Sequence, residues 1–298
     1  MVAIVTEKFR LHNAAQFKES FSEASASTYY MLIGKPTAFD SDTSGGTDTS
    51  PPTPNDDVSS EFHVWDSAIG AKKISSGDVS NVVPRRNWTN GTIYDMYEHD
   101  ISSTNTSQSG ASNLYDATFF FMTSTNKVYK VLDNNGGTAY SGTEPTSTSN
   151  SPFKLGGYIL KYMYTVGASD EAKFFTSDFI PAITDSTVSA NATDGAIESI
   201  IVTAGTGQTD GTYFTPVYGD GANAGKTTGA ILKLVISNGA IASFGLTDGT
   251  DTTIHSAGTE YTFATVNLAS GYTFSDAALT TAAAIGGSGG AVKIIISP

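Results

Sequence analysis

The segment G219-D-G-A-N-A-G-K-T-T-G229 holds the residue types that bind phosphate: glycines that let backbone amides converge, then a lysine and threonines. A phosphate-binding loop needs four residues between its glycines, a strand before it and a helix after it. Here five residues separate Gly219 from Gly225, and three separate Gly221 from Gly225. The run that follows, Ile231 to Ile236, is a strand by residue type. The segment is therefore expected to be a flexible turn leading into a strand, with Lys226 solvated. G205-T-G-Q-T-D-G211 imitates a dinucleotide fingerprint, but its third glycine lies one place too far and no helix signal follows. It is expected to be a loop.

Other chemistries fare no better. His12, His63, His99 and His255 are scattered, with no metal-ligand spacing. The absence of cysteine removes thiolate metal sites, disulfides and a cysteine nucleophile. D133-N-N-G-G137 and D248-G-T-D251 lack the alternating oxygen ligands of a calcium loop. No G-x-S-x-G elbow occurs. Asp95, Glu98 and Asp100 could supply the carboxylate pair of a glycosidase, yet such clusters usually form a solvated face. The residues thus assign no catalytic, cofactor-binding or metal site. Arg85 and Arg86 are more informative, since they precede Trp88 and are two of only three arginines. They read either as a surface pair or as an internal or interface anchor. Guanidinium stacks on aromatic rings and pairs carboxylates in a fork, so the pattern suits interfaces.

The bulk numbers set the frame for these residues. The chain has 298 residues, a formal net charge of −13 and 15% charged residues. Its length suggests about two domains. The shortage of clustered Lys and Arg disfavours nucleic acid and anionic membrane surfaces as partners. No stretch approaches the ~18 apolar residues of a membrane span, and M1-V-A-I-V-T-E-K-F-R10 is not expected to be a signal peptide because no basic region precedes its apolar run.

The elements that must position any site follow from periodicity. Phe9, Ala14, Phe17 and Phe21 predict a helix over roughly 11–23. T28-Y-Y-M-L-I-G34 predicts a strand. Val58, Phe62, Trp65 and Ile69 form an apolar stripe and predict a second helix. Polar loops are expected at about 38–57, 101–113 and 138–152. T118 to D133 reads as a hairpin turning at Ser124-Thr125-Asn126, and D133-N-N-G-G137 as a tight turn. G157-Y-I-L-K-Y-M-Y-T-V166 alternates and predicts a long strand, and K173 to P181 closes this half.

Beyond about residue 185 helix signals vanish and a repeat emerges. D194-G-A-I-E-S-I-I-V-T203 recurs as N238-G-A-I-A-S-F-G-L-T247. G211-T-Y-F-T-P-V217 has a counterpart in G258-T-E-Y-T-F-A-T-V266, and G229-A-I-L-K-L-V-I-S237 matches G290-A-V-K-I-I-I-S297. The expected class is α+β: an N-terminal mixed domain over 1–185, with two short helices and antiparallel strands, then an all-β domain over 186–298 built from a two-copy repeat.

The N-terminal segments also carry a resemblance. V2-A-I-V-T-E-K-F-R10, V82-V-P-R-R-N-W88 and K154-L-G-G157 resemble the baseplate wedge subunit, the product of gene eight, of T4-like contractile-tailed phages. Y129-K-V-L-D-N-N-G-G137, E144-P-T146, G157-Y-I-L-K-Y-M-Y164 and F174-F-T-S-D-F-I-P181 look like the versions in cyanophages. The resemblance implies a non-enzymatic virion protein of the tail baseplate, assembled in the host cytoplasm. Its implied partners are itself, as a homodimer, and other wedge proteins, with no cofactor, small-molecule substrate, nucleic acid or membrane. It further implies a part in wedge assembly and in the switch that triggers sheath contraction. Arg85, Arg86, Trp88, Tyr129, Tyr158, Tyr162 and Phe179 are the candidate interface or structural anchors. The alternative is a receptor- or glycan-binding tail protein, motivated by the Gly/Thr-rich repeat and the tyrosine content. A third reading is a polysaccharide-degrading enzyme using the acidic cluster.

Overall fold

The computed structural model describes residues 7–34, 38–39, 41, 45–53, 68–226, 228–247, 249–275 and 278–297. The chain forms two compact units, Met1–Val82 and Val83–Pro298. The change of texture near residue 185 falls inside the second.

In the first unit, helix α1 (Glu7–Glu19) precedes strand β1 (Tyr29–Ile33), which pairs antiparallel with β2 (Gly70–Ile74). The helix ends before the predicted residue 23. The Ser20 and Ser22 hydroxyls bond back to the carbonyls of Phe17 and Glu19, at 2.7 and 3.0 Å, and so compete with the next turn. Phe21, just past the end, packs on Phe17 and Tyr29 with ring centroids 5.1 and 4.7 Å away. Most of the predicted helix over Val58–Ile69, with His63, and part of the acidic 38–57 loop lie outside the described residues. Ile69 itself is not helical: its amide bonds to Ile33 O at 2.8 Å and extends the β1–β2 pairing.

The second unit starts with β3 (Val82–Pro84) and continues through β4 (Phe120–Met122), β5 (Lys127–Asp133), β6 (Phe153–Leu155) and β7 (Tyr158–Thr165). The last four form an antiparallel sheet in the order β4-β5-β7-β6. Its turns match the sequence: Asn126 takes φ 59° in the hairpin, and Asn135, Gly136 and Gly137 take φ 55°, 65° and 81°. Simple alternation in β7 fails, however. The register slips between Val128 and Tyr129, so Tyr162 faces one core and Tyr164 the opposite one. Both faces are covered, which is why the strand reads nearly all apolar. Then come α2 (Ala168–Phe174), β8 (Phe179–Pro181), which pairs with β3, and α3 (Ser186–Ala190). Neither short helix was foreseen, and α3 contradicts the expected loss of helix beyond 185. Asp185 caps it, accepting from Thr187 N and Val188 N at 2.9 and 3.1 Å.

The remaining strands are β9 (Ile197–Thr203), β10 (Thr206–Gln208), β11 (Gly211–Gly219), β12 (Ile231–Ser237), β13 (Ala240–Ile241), β14 (Thr253–Ser256), β15 (Ala264–Val266), β16 (Ser270–Ser275), β17 (Ala278–Ala284), β18 (Gly286–Ser288) and β19 (Ala291–Ile296). The two repeat copies do not stand side by side as separate modules; they interlock. The first strand of copy one, β9, pairs with the last of copy two, β19. The last of copy one, β12, pairs with the first of copy two, β13. The middle strands, β11 and β15, pair with each other at Val217 and Val266, counterparts in the repeat. The register is kept: Ile296 faces Ile197 as Ile236 faces Ile241. So are the connecting bonds. Ile197 N donates to Ala257 O and Ile241 N to Ala204 O, both at 2.9 Å. This is a pseudo-two-fold exchange of strands within one chain. The β16–β17 hairpin is inserted in the second copy.

The glycine-rich stretches take their roles from this arrangement. G219 to G229 is the turn from β11 to β12, as expected, and Lys226 is exposed. Its amides are spent within the protein: Ala222 N bonds to Thr259 O at 2.9 Å and Gly225 N to Val217 O at 2.7 Å. One expectation fails: the stretch G205 to G211 is not all loop, since Thr206–Gln208 pairs antiparallel with Gly286–Ser288.

Candidate interface anchors

The V82-V-P-R-R-N-W88 segment is fixed first by its backbone. Arg85 N donates to Asp178 O at 2.7 Å, Met122 N to Arg86 O at 2.7 Å, and Trp88 N to Met122 O at 2.8 Å. Extended backbone alternates its side chains, so the two arginines diverge. Arg85 stacks 5.3 Å from the Phe175 ring centroid and donates to Thr176 O and Asn87 Oδ1, both at 3.1 Å. Arg86 sits 4.8 Å from the Phe120 ring centroid, and its Nη2 forks onto the carbonyls of Tyr115 and Asp116 at 2.8 and 3.0 Å. Burial lowers the pKa of its guanidinium. The Trp88 ring meets Tyr140 edge-on at 5.9 Å. Two donors of this segment, Arg86 Nη1 and Trp88 Nε1, are buried with no hydrogen-bond partner among the described residues. Beside it, Arg85, Asn87, Trp88, Met122 and Glu144 line a hollow of about 260 Å³.

Of the other candidates, Tyr129, Tyr158 and Tyr162 are interior residues of one aromatic core. Tyr129 donates its hydroxyl to Ser147 O at 2.7 Å, and burial pushes its pKa up to about 12. Tyr158 donates to Thr138 O at 2.7 Å and packs on Tyr140 at 5.2 Å. Tyr162 shares a 2.8 Å hydroxyl contact with Thr165. Each phenol thereby ties a strand of the sheet to a loop or strand end. Phe179 is 37% exposed, at the surface. The structure therefore groups Tyr129, Tyr158 and Tyr162 with Trp88, and sets Arg85, Arg86 and Phe179 on other neighbours.

The acidic cluster is dispersed into structural tasks. Asp95 is buried and accepts from Ser109 N and Oγ, each at 2.7 Å, and from Thr118 N and Oγ, at 2.7 and 3.0 Å. Burial raises its pKa, but these four bonds outweigh that and hold it below the usual carboxylate range. Glu98 and Asp100 both pair with Lys293 of β19, and His99 Nδ1 accepts from Ile296 N at 3.2 Å. Among the described residues no group of three His, Asp or Glu is placed to hold a metal ion.

Sequence reasoning missed the exposed apolar surface of the first unit. Phe17 is 53% exposed, Tyr30 63% and Ile33 56%, and Phe9, Leu11, Met31 and Ile69 are also open. The signal was present: Y29-Y-M-L-I33 is apolar throughout, as a strand covered on both faces would be, yet β2 is its partner in a two-stranded sheet. A second open apolar area lies in the other unit, where Val83, Phe119, Phe120, Met163 and Tyr164 line a hollow of about 180 Å³.

A family model described as Bacteriophage T4, Gp8 matches residues 3–139, while no curated protein and no solved structure matches the chain. The matched span includes Arg85, Arg86, Trp88 and Tyr129; residues 140–298 lie beyond it. Residues 3–139 are similar to the Gp8 family, and that match supports a structural protein of the phage tail baseplate.

Proposed function

We propose that the protein is a wedge subunit that acts as a mechanical scaffold, without catalysis, and binds both itself and other wedge proteins. The observation that carries this reading is the open apolar face of the first unit. Large apolar side chains left exposed in a small unit support a protein–protein contact. Phe17 supplies one from α1, and β1 supplies Tyr30 on one face and Met31 and Ile33 on the other. The net charge of −13 supports protein partners over nucleic acid. The interlocked repeat suits a rigid body that transmits force, and residues 186–298 are then a β-rich domain carried by the wedge-type part over 1–185. In this reading the subunit takes part in wedge assembly and in the shape change that triggers sheath contraction.

Light scattering on the purified protein, with and without the other wedge proteins of the same phage, tests the proposal. The expected result is a dimer that joins wedges, and loss of both on Tyr30→Ser with Met31→Ser. A strict monomer at micromolar concentration that binds no wedge protein overturns it.

A further inference from the structure

The two halves of the interlocked repeat differ at one equivalent position, and the difference opens a cavity. In the structure Ala204–Gln208 answers Ala257–Tyr261, so Gly258 corresponds to Gly205 and not to Gly211 as the repeat in the sequence suggested, and Gln208 and Tyr261 are counterparts. Gln208 N donates to Gly239 O and Tyr261 N to Gly195 O, both at 3.0 Å. Each side chain lies over the glycine three places before it. A Cβ built on Gly205 would come 2.3 Å from Gln208 Nε2 and 2.4 Å from Gly290 N. One built on Gly258 would come 2.7 Å from Tyr261 Cε2 and 2.9 Å from Ala230 N. In the second setting the phenol fills the space: Tyr261 is buried, and its hydroxyl accepts from Ala230 N at 3.3 Å. In the first setting a shorter amide stands for the phenol, and Gly290 stands for Ala230. A cavity of about 280 Å³ results, lined by Gln208, Ile241, Leu268, Ile285 and the Gly286–Gly290 run.

Gln208, on the wall of this cavity, carries an unanswered polar group. Gln208 is only 6% exposed, and its Oε1 has no hydrogen-bond partner among the described residues. A buried acceptor without a donor is costly, so a ligand that brings a donor is favoured there. Among the described residues no ionisable side chain lines the cavity, which selects a neutral ligand. Ile241, Leu268 and Ile285 offer an aliphatic wall, while the rim at Gly286–Gly289 is exposed backbone with close access. The volume lies just below the ~300–1,000 Å³ of small-molecule pockets, so it suits one ring and not a chain.

We propose that this cavity binds a single neutral pyranose ring, as a free sugar or as the terminal residue of a glycan. The Gln208 carboxamide turns toward the cavity so that a ring hydroxyl donates to Oε1, the C–H face lies on the aliphatic wall, and the remaining hydroxyls meet the glycine rim. The ligand thereby supplies what the ring and hydroxyl of Tyr261 supply in the other half. The wet, exposed rim favours a sugar over a phenolic side chain. The inference stands on the cavity alone and does not rest on the wedge reading.

The test is saturation-transfer NMR on the full chain, with methyl glucopyranoside, methyl galactopyranoside and methyl mannopyranoside at millimolar concentration, and phenol in parallel. At least one pyranoside is expected to bind, and Gln208→Tyr, which rebuilds the arrangement at Tyr261, is expected to weaken it roughly tenfold or more. Gln208→Leu removes the carboxamide while keeping a side chain of similar size and is expected to weaken binding too, which decides the matter if the tyrosine variant does not fold. No pyranoside binding, or binding unchanged in the folded variants, overturns the proposal. Phenol binding without sugar binding overturns it in favour of an aromatic side chain of another protein.

Discussion

Glu198 closes over Lys130: its Oε2 accepts from the Lys130 ammonium at 2.6 Å, and both side chains are buried. Its other oxygen accepts from Lys161 at 3.1 Å, and Lys130 also lies 3.4 Å from the Tyr97 ring centroid. Lys130 and Lys161 face each other across β5 and β7, so one carboxylate from β9 answers two opposed ammoniums. Burial pushes Glu198 up, but the two cations outweigh it and hold its pKa below the usual value.

Glu198→Gln leaves the buried Lys130 ammonium and the half-buried Lys161 ammonium without a counter-charge and is expected to cost about 3–5 kcal/mol. The pH dependence has a definite sign. A carboxyl whose folded pKa is depressed contributes fully above its unfolded value, about 4.3, and loses that contribution as pH falls through the folded value. Urea midpoints of the wild type should therefore drop on acidification below about pH 4.3. The drop should be smaller in Glu198→Gln. Equal slopes for the two proteins would remove Glu198 as the titrating group.

Asp95 acts as an internal staple for the polar loop at 101–113. Asp95→Ala strands two amides and two hydroxyls, those of Ser109 and Thr118, and is expected to cost about 3 kcal/mol. Hydrogen exchange gives the local readout. The Ser109 and Thr118 amides should lose protection ahead of the neighbouring strands. Uniform change across the sheet would show a global effect and not a staple.

How much of this was legible follows from the range of each interaction. The hairpin at Asn126, the turn at Asn135-Gly136-Gly137 and the strand Tyr158–Thr165 depend on local dihedral preferences and period, and the sequence states both directly. The exchange of strands was hidden: the repeat was visible, but which copy's strand pairs with which is a matter of long-range register. The Glu198 triad was equally hidden, since isolated charges in apolar strands carry no spacing signal. Helix α2 has only seven residues, Ala168–Phe174, too few for a period to show. Among the candidate anchors, the Arg85-Arg86-Trp88 run pointed to a special segment, but alternation along an extended chain sends its side chains to different neighbours.

Trp88 gives a prediction with an internal contrast. Trp88→Ala removes the edge-on partner of Tyr140 and part of the aromatic core, and is expected to cost about 2–4 kcal/mol. Trp88→Phe keeps a ring there and deletes Nε1, a buried donor with no partner among the described residues. It should melt much closer to wild type than the alanine variant. Wedge assembly measured on both variants then separates stability from contact. If Trp88→Phe is as unstable as Trp88→Ala, the indole N–H has a role that its geometry does not show.

The strand exchange is tested through three glycines in one module. Gly195 has φ 64°, and an added Cβ would lie 2.4 Å from Tyr261 N and 2.8 Å from the Glu260 carbonyl carbon, both backbone atoms. Nothing flexible there can yield, and Tyr261 N is the donor that bonds Gly195 O across the copies. The left-handed backbone alone costs an alanine about 1–2 kcal/mol, so Gly195→Ala should lose more than that. Gly239 is its counterpart, with φ 72° and its nearest would-be contact at 3.3 Å, so Gly239→Ala should lose mainly the backbone part. Gly249 has no contact within 4 Å and no left-handed φ, so Gly249→Ala should be near neutral. Chemical denaturation of the three variants should rank them in that order. Equal losses at Gly195 and Gly249 would mean that the close cross-copy approach at Tyr261 does not hold the module together.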